Sequence, residues 1–373
     1  MTASSLSLQK HFRSLRDPRR AHRRRHLLID IVTIAICATV CGADSWPKVA
    51  RFGQRRRGWL RRFLRLPNGI PSHDTFERVF ALLEPAAFQR RFVAWTEALR
   101  EALGKEHIAI DGKTLRGSAA PARGLGALQV VSAWATKAGL TLGQVVVEEG
   151  SNEIRAIPPL LALLDLKGAL VTIDALGCQK EIAQQVADAG GDYLLTVKDN
   201  QEALADDIRA CFDRAFEAEF AGLAWDEYHS TTRAHGRVEE RHYFTIQDPQ
   251  GLGTRPAWAN LNVIGMCWSE RVARGKRSDE VRYFIGSKRA GARYYGEALR
   301  RHWHVENRLH WRLDVVFGED DNRVQQRNAA ANLAALRRMA LNLLKRCPRP
   351  GSIACKQWEA ALDTNVLEAI LKG

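Results

Sequence analysis

The sequence predicts an α/β fold in which a mixed-sheet core is preceded by a helical domain, interrupted by a β-rich insertion and closed by helices. Three observations carry this reading. Apolar residues recur at helical spacing from residue 27 to about 104. From 106 to 217 strand-like alternation and helical stretches take turns. Alternating strands then fill 218–290, and helical spacing returns over 291–373.

Residues 1–26 read as a basic arm, with arginines concentrated between Arg13 and Arg25. The apolar run that follows, LLIDIVTIAICATV, has the flank of a secretory leader of the twin-Arg kind. It is short for a bilayer span, Asp30 interrupts it and no small-residue cleavage site follows, so a buried helix is expected. VARFGQRRRGWLRRFLRL, TFERVFALL and FQRRFVAWTEALREAL continue the helical spacing to residue 105, and Pro71, Ser72 and then Asp74 with Glu77 as a capping box are start signals for TFERVFALL. Arg55, Arg56, Arg57, Arg61, Arg62 and Arg65 cluster on and beside one of these helices. Residues 27–105 thus read either as a small DNA-binding module, with Arg56 and Arg61 as candidate contacts, or as a solvated basic face.

In the core, strands are expected in HIAIDG, LQVVSAWAT, LTLGQVVVEE, ALVTIDA and DYLLTVK, and helices in EIRAIPPLLALL, KEIAQQVADAG and NQEALADDIRACFDRAF. Three strands, helix, strand, helix, strand is the order of an RNase H-like fold. A doubly wound nucleotide-binding sheet fits less well, because no Gly-rich phosphate loop follows the first strand. EYHSTTRAHGRVEERHYFTI, LNVIGMCWSERV and EVRYFIG supply the insertion at 218–290. The closing part, 291–373, holds YYGEALRRHWHVENRLHWRLDVVF and NRVQQRNAAANLAALRRMALNLLK around a GEDD turn.

With 373 residues, 46% of them apolar and 26% charged, the chain is long enough for a sizeable core and is not a disordered tail. A net charge of +14 and a pI near 9.7 call for a polyanionic partner, unless the arginine excess only reflects codon preference. The seven cysteines lack CxxC spacing, which argues for a reducing compartment and against a zinc ribbon.

The chemistry is expected at three carboxylates. Asp111 ends the apolar run His107 to Ile110, where Gly112 and Lys113 suggest a turn, and Asp174 ends the run Leu170 to Ile173 in the same way. Alone, Asp111 reads more readily as a solvated turn residue. In the proposed fold the two strands are neighbours, and paired carboxylates at one sheet edge invite Mg²⁺ or Mn²⁺. Glu306 is the candidate third ligand, on a helix whose 3.6-residue period places His302, Glu306, His310 and Asp314 near one face with Trp303 and Phe317. Zinc held by His302, Glu306 and His310 is the alternative. Three such carboxylates suit two-metal phosphoryl transfer, with Lys113, Arg116, Lys198, Arg300 and Arg301 as phosphate contacts.

The stretches IAIDGKTLRGS, SNEIRAIPPLL, VTIDALGCQKEIA, DYLLTVKDNQ, HGRVEERHY and HWHVENRLHWRLDVVFGED, together with GIPSHDTFERVFALLEP and the segment from LRDPRR to CGADSW, resemble the DDE transposases of the ISAs family of bacterial insertion sequences, the group that includes the H-repeat-associated proteins. The resemblance runs nearly the whole length. It implies an RNase H-like catalytic core, Asp111, Asp174 and Glu306 as Mg²⁺-binding catalytic residues, and transfer of a 3′-hydroxyl from element ends to target DNA. Double-stranded DNA is the implied partner, with a homodimer on DNA, a cytoplasmic location and no membrane. The wider superfamily sets a Tyr, an Arg and a Lys around the Glu. Those spacings fall here on Leu299, His302 and Leu313, with Arg301 and His310 as nearby substitutes. His235 and Arg237 in HGRVEER are further candidates for flanking DNA. A catalytically silent DNA-binding descendant and a stand-alone RNase H-like nuclease are the rival expectations.

Overall fold

The structure is a computed structural model and describes residues 3–100, 107–234, 236–273 and 275–372. Along the chain the first helices are Ala3–Phe12 (α1), Leu28–Val40 (α2), Trp46–Arg55 (α3), Arg57–Leu60 (α4), His73–Leu82 (α5) and Pro85–Arg100 (α6). Strands His107–Leu115 (β1), Leu128–Ala135 (β2) and Leu140–Val146 (β3) follow. Next come Glu153–Leu161 (α7), Leu170–Ile173 (β4), Lys180–Asp188 (α8), Asp192–Val197 (β5) and Glu202–Glu217 (α9). Long strands Trp225–Ala234 (β6), Arg237–Gln247 (β7), Val263–Ala273 (β8) and Lys276–Gly286 (β9) precede Ala292–His302 (α10), Trp311–Phe317 (α11), Arg327–Arg346 (α12), Ile353–Leu362 (α13) and Thr364–Lys372 (α14).

The chain divides into two compact units. One comprises Lys105–Asp111 and Glu153–Val305, and its strands run in the order β1-β4-β5-β9-β8-β7-β6. β1, β4 and β5 are parallel, and β9 lies antiparallel against β5 with Val197 opposite Tyr283. The strands of the β-rich block therefore extend the core sheet through β9 instead of forming a sheet of their own. Parallel strands covered on both faces read as continuous apolar runs, and all four residues of β4 are buried. At Gly265 a Cβ would stand 1.9 Å from the Phe284 ring, so the glycine lets that ring lie flat across the neighbouring strand.

The other unit comprises Met1–Gly104, Gly112–Asn152 and Glu306–Gly373, with strand order β3-β2-β1. β1 contributes residues to both units, and the parallel pairing of β1 with β4 is the neighbour relation that the sequence predicts. Within this unit α12 is the axis. It is buried from Ala329 to Leu344 and packs against α2, α5, α6, β2 and β3. Each fully buried Leu on it contributes about 1.5–3 kcal/mol of transfer free energy. Polar clasps set its depth: Asn342 Nδ2 donates to Thr141 O (2.8 Å) and its Oδ1 accepts from Thr141 N (2.9 Å), while Asn332 Nδ2 donates to Phe80 O and Leu83 O.

The run expected as a buried helix is α2, buried along almost all of its length. Among the described residues no helix is long and apolar enough to cross a membrane. Asp30 stays inside because its Oδ2 accepts from Leu66 N at 2.9 Å, and burial pushes its carboxyl pKa up. Three local expectations need correction. The residues expected as an arm begin with α1, whose Leu8 and Phe12 are buried, Phe12 lying 5.2 Å from the ring of Phe88. The cap of α5 is Ser72, one of the expected start signals, which accepts from Thr75 N, so Asp74 lies in the first turn and the Asp74–Glu77 capping box does not form. Arg56 is turned inward: its Nη2 donates to Ala361 O (2.6 Å) and Leu362 O (3.0 Å), closing the carbonyl end of α13, whereas Arg61 is exposed.

Candidate active site

In the sheet-rich unit the β1–β4 register sets His107 opposite Leu170 and ends at Ile110 opposite Ile173. Asp111 and Asp174 are the next residues on each strand, so the two carboxylates leave adjacent parallel strands at the same end. β4 stops there. Asp174 caps the 3₁₀ turn Ala175–Gly177, its Oδ1 accepting from Leu176 N (3.1 Å) and Gly177 N (3.4 Å), which fixes the carboxylate's orientation. A Cβ at Gly177 would stand 2.3 Å from Ile173 Cγ2, so only glycine closes this turn. The end of β5 braces it from below: Thr196 Oγ1 donates to Ile173 O, Asn200 Nδ2 to Ala175 O and Gln201 Nε2 to Cys178 O. Sequence reasoning assigned no role to Asn200 and Gln201, although both lie in the DYLLTVKDNQ stretch. Their chemistry shows only once β5 is known to lie beside β4.

β1 does not turn after Asp111 but runs on to Leu115, against expectation. Strand alternation puts His107 and Asp111 on one face, with Thr172 and Asp174 on the same face of β4. Thr172 Oγ1 lies 2.8 Å from His107 Nε2 and 2.9 Å from His302 Nδ1, a hydroxyl bridging two imidazoles. Through its Nδ1, His302 is thus a tie between the end of α10 and β4.

Burial, reinforced by the charges of His302, Arg301 and His304, pushes the His107 pKa down to about 3. The unfolded chain binds this proton near pH 6.5 and the folded chain resists it down to about 3. The neutral ring's stability is therefore complete above pH 6.5 and is lost as pH falls through that window, by at most about 4–5 kcal/mol. Urea melts across the window should show wild type losing stability faster than His107→Gln; parallel slopes would contradict the assignment.

In the helical unit, Glu306 opens a π-helical turn, Glu306–His310, between α10 and α11. The single helical face expected of His302, Glu306, His310 and Asp314 is therefore interrupted, because a π-turn carries an extra residue. Glu306 is half exposed, and the buried His310 places Nδ1 3.6 Å from Glu306 Oε2. Lys345 supports the turn from behind: its Nζ donates to Arg308 O (2.8 Å) and Gly139 O (3.1 Å) and sits 3.9 Å from the Trp134 ring centroid, and burial pushes its pKa down to about 7.

Lys113 is not available to phosphate. Because β1 continues, its side chain is buried and its Nζ lies 2.7 Å from Asp314 and 3.3 Å from Asp320, an ion-paired anchor for the loop after α11. Gly117 lies tight beneath that loop, where a Cβ would stand 2.4 Å from Asn322 O. This explains the glycine in the LRGS stretch. Arg116 is exposed beside Asp320, Lys198 is exposed at the end of β5, Arg237 is exposed at the start of β7, and Arg301 pairs with Glu297. His235 lies outside the described residues. Leu313, where the superfamily spacing sets a Lys, is fully buried.

The chain is thus a mixed α/β protein with carboxylates following the paired segments of two neighbouring parallel strands. The chain belongs to the DDE transposase family: the family described as Transposase DDE domain matches residues 102–343, and the associated family, DDE_Tnp_1-associated, matches residues 9–96. The H repeat-associated protein YhhI of Escherichia coli strain K12, named as a candidate transposase, is 38% identical over 98% of this chain and 98% of its own length. YncI of Escherichia coli O157:H7, also named as a candidate transposase, is 38% identical over 98% of this chain and 94% of its own. A cryo-EM structure of the piggyBac transposase synaptic complex with hairpin DNA matches at a TM-score of 0.39 and 8% identity, covering 99% of this chain and 77% of that one.

Proposed function

We propose that the chain cuts DNA at insertion-sequence ends and transfers the freed 3′-hydroxyl to target DNA, with Asp111, Asp174 and Glu306 as the catalytic, metal-holding carboxylates. The observation that carries this reading is the β1–β4 register, which sends Asp111 and Asp174 out of adjacent strands at one end. Glu306 follows His302 by four residues, and His302 is tied to Thr172, two residues before Asp174.

The donor set is hard oxygen, which suits Mg²⁺ and admits Mn²⁺. Bound there, divalent ions would lower the pKa of an attacking water or 3′-hydroxyl and stabilise the leaving oxygen. The protein's own contribution is positional. The turn after Asp174 holds that carboxylate, the Thr172 bridge anchors the end of α10, and Lys345 supports the π-turn carrying Glu306. Arg116, Lys198, Arg237 and Arg301 would contact phosphate without reading sequence. Residues 27–105, with exposed Arg51, Arg55, Arg57, Arg61 and Arg65, would bind element ends. Two ends must be handled together, so the chain would act as a homodimer on DNA, in the cytoplasm.

The test is to incubate the purified chain with duplexes carrying the inverted repeats that flank its gene, with Mg²⁺ or with chelator. Cleavage at the repeat boundary followed by joining to a target plasmid, both lost on chelation, is expected. Unspecific nicking without joining would replace the reading with a nuclease, and end binding without cleavage would replace it with a silent descendant.

A further inference from the structure

We propose that His229, His242 and Glu240 form a second cation site, for Zn²⁺ or a similar borderline metal, on the outer β6–β7 ladder. His229 and His242 are directly opposed cross-strand partners, with ring centroids 4.5 Å apart and planes tilted by 30°. Glu240 precedes His242 by two residues, so strand alternation puts it on the same face. One ligand atom from each of the three residues lies within 4.8 Å of the others. Zinc binds imidazole nitrogen at about 2.0–2.1 Å, which places tetrahedral ligands about 3.4 Å apart, so small χ rotations complete the set.

A ladder of packed rings accounts for part of this arrangement, since His242 also stacks on its next cross-strand partner Trp268 at 5.1 Å. It does not account for a carboxylate converging on both imidazoles, because the cross-strand partners of Glu240 are Thr231 on β6 and Glu270 on β8, neither of them a histidine. The Trp268 ring instead limits rotation of His242, as a supporting contact does for a metal ligand. Two imidazoles and one carboxylate leave a coordination position for water and favour Zn²⁺ over Mg²⁺. The set stands apart from the oxygen-only trio proposed for catalysis. β6 is the edge of its sheet, with β7 as its neighbouring strand. A cation bound across the pair would clamp this long edge strand to its neighbour.

The experiment uses the full chain carrying Asp111→Asn, Asp174→Asn and Glu306→Gln, so that the proposed catalytic trio does not contribute, with Mg²⁺ in excess. Zn²⁺ is titrated by calorimetry and Co²⁺ by its visible absorption. One equivalent of Zn²⁺, a four-coordinate Co²⁺ band and a zinc-dependent rise in melting temperature are expected. His242→Ala should weaken binding by about tenfold or more and abolish the thermal shift. Glu240→Gln, which keeps the ring ladder, should weaken it as well. Equal Zn²⁺ affinity in the parent and in His229→Ala/His242→Ala would overturn the site, as would a parent with no saturable binding. Should the histidine variants melt early in chelator, Glu240→Gln decides: unchanged affinity there overturns the proposal.

Discussion

Asp111→Asn, Asp174→Asn and Glu306→Gln should each lower end cleavage by about a thousandfold or more while end binding stays close to wild type. Each change removes one formal charge but keeps shape and hydrogen-bonding capacity. The expected loss is therefore the several kcal/mol of charge stabilisation that bound divalent ions would supply, and about 4 kcal/mol corresponds to a factor of a thousand. The amide at 174 can still accept from Leu176 N and Gly177 N, so the turn should survive. Cleavage is read on labelled end duplexes at saturating Mg²⁺, and binding by mobility shift on the same duplexes. Near-wild-type cleavage by any one variant would remove that residue from the site.

The largest stability effect should come from Glu319→Ala. Glu319 is 1% exposed, and its Oε1 lies 2.9 Å from Arg338, which is fully buried, and 3.9 Å from the equally enclosed Arg337. Arg338 also donates to Ser132 Oγ and Ala334 O, joining the loop after α11 to α12 and β2. Removing the carboxylate strands two guanidinium groups in the core, and losing one partner of a buried pair costs about 3–5 kcal/mol. Burial already holds the Arg337 pKa below its usual range. A drop of that size in urea melts is expected for Glu319→Ala. Adding Arg338→Met should recover part of it, because the uncompensated charge is then gone. A loss under about 1 kcal/mol, the size of a surface pair, would show that the cluster is not the anchor described.

Much of the fold was legible because the signals were periodic. The apolar runs of β1 and β4 and the long helical spacing of α2 and α12 each follow from burial on known faces. That Asp111 and Asp174 follow neighbouring strand segments was legible too, since each comes after a short, mostly apolar run, whereas the continuation of β1 to Leu115 was not. What stayed hidden depended on contacts distant in sequence. Gly112 and Lys113 suggested a turn after Asp111, yet Asp314 and Asp320, two hundred residues on, hold Lys113 in an extended strand. Arg56 sat in a run of arginines that looked uniformly solvated, until the carbonyls of Ala361 and Leu362 gave it a partner. The pairing of β9 with β5 could not be read from the strand pattern of 218–290, because alternation marks a strand without naming its neighbour.

The π-turn at Glu306–His310 makes this stretch sensitive to counting as much as to chemistry. An ordinary helical turn there would hold one residue fewer, so straightening these five residues into regular α-helix would swing the side chains on either side by about 100° relative to one another, whereas deleting one residue such as Asn307 would remove the bulge that sets Glu306 beside His310. Spacing across these five positions is then a constraint in its own right, and a relative that keeps every acid but drops one neighbour would lose the bulge that pairs its glutamate with the histidine.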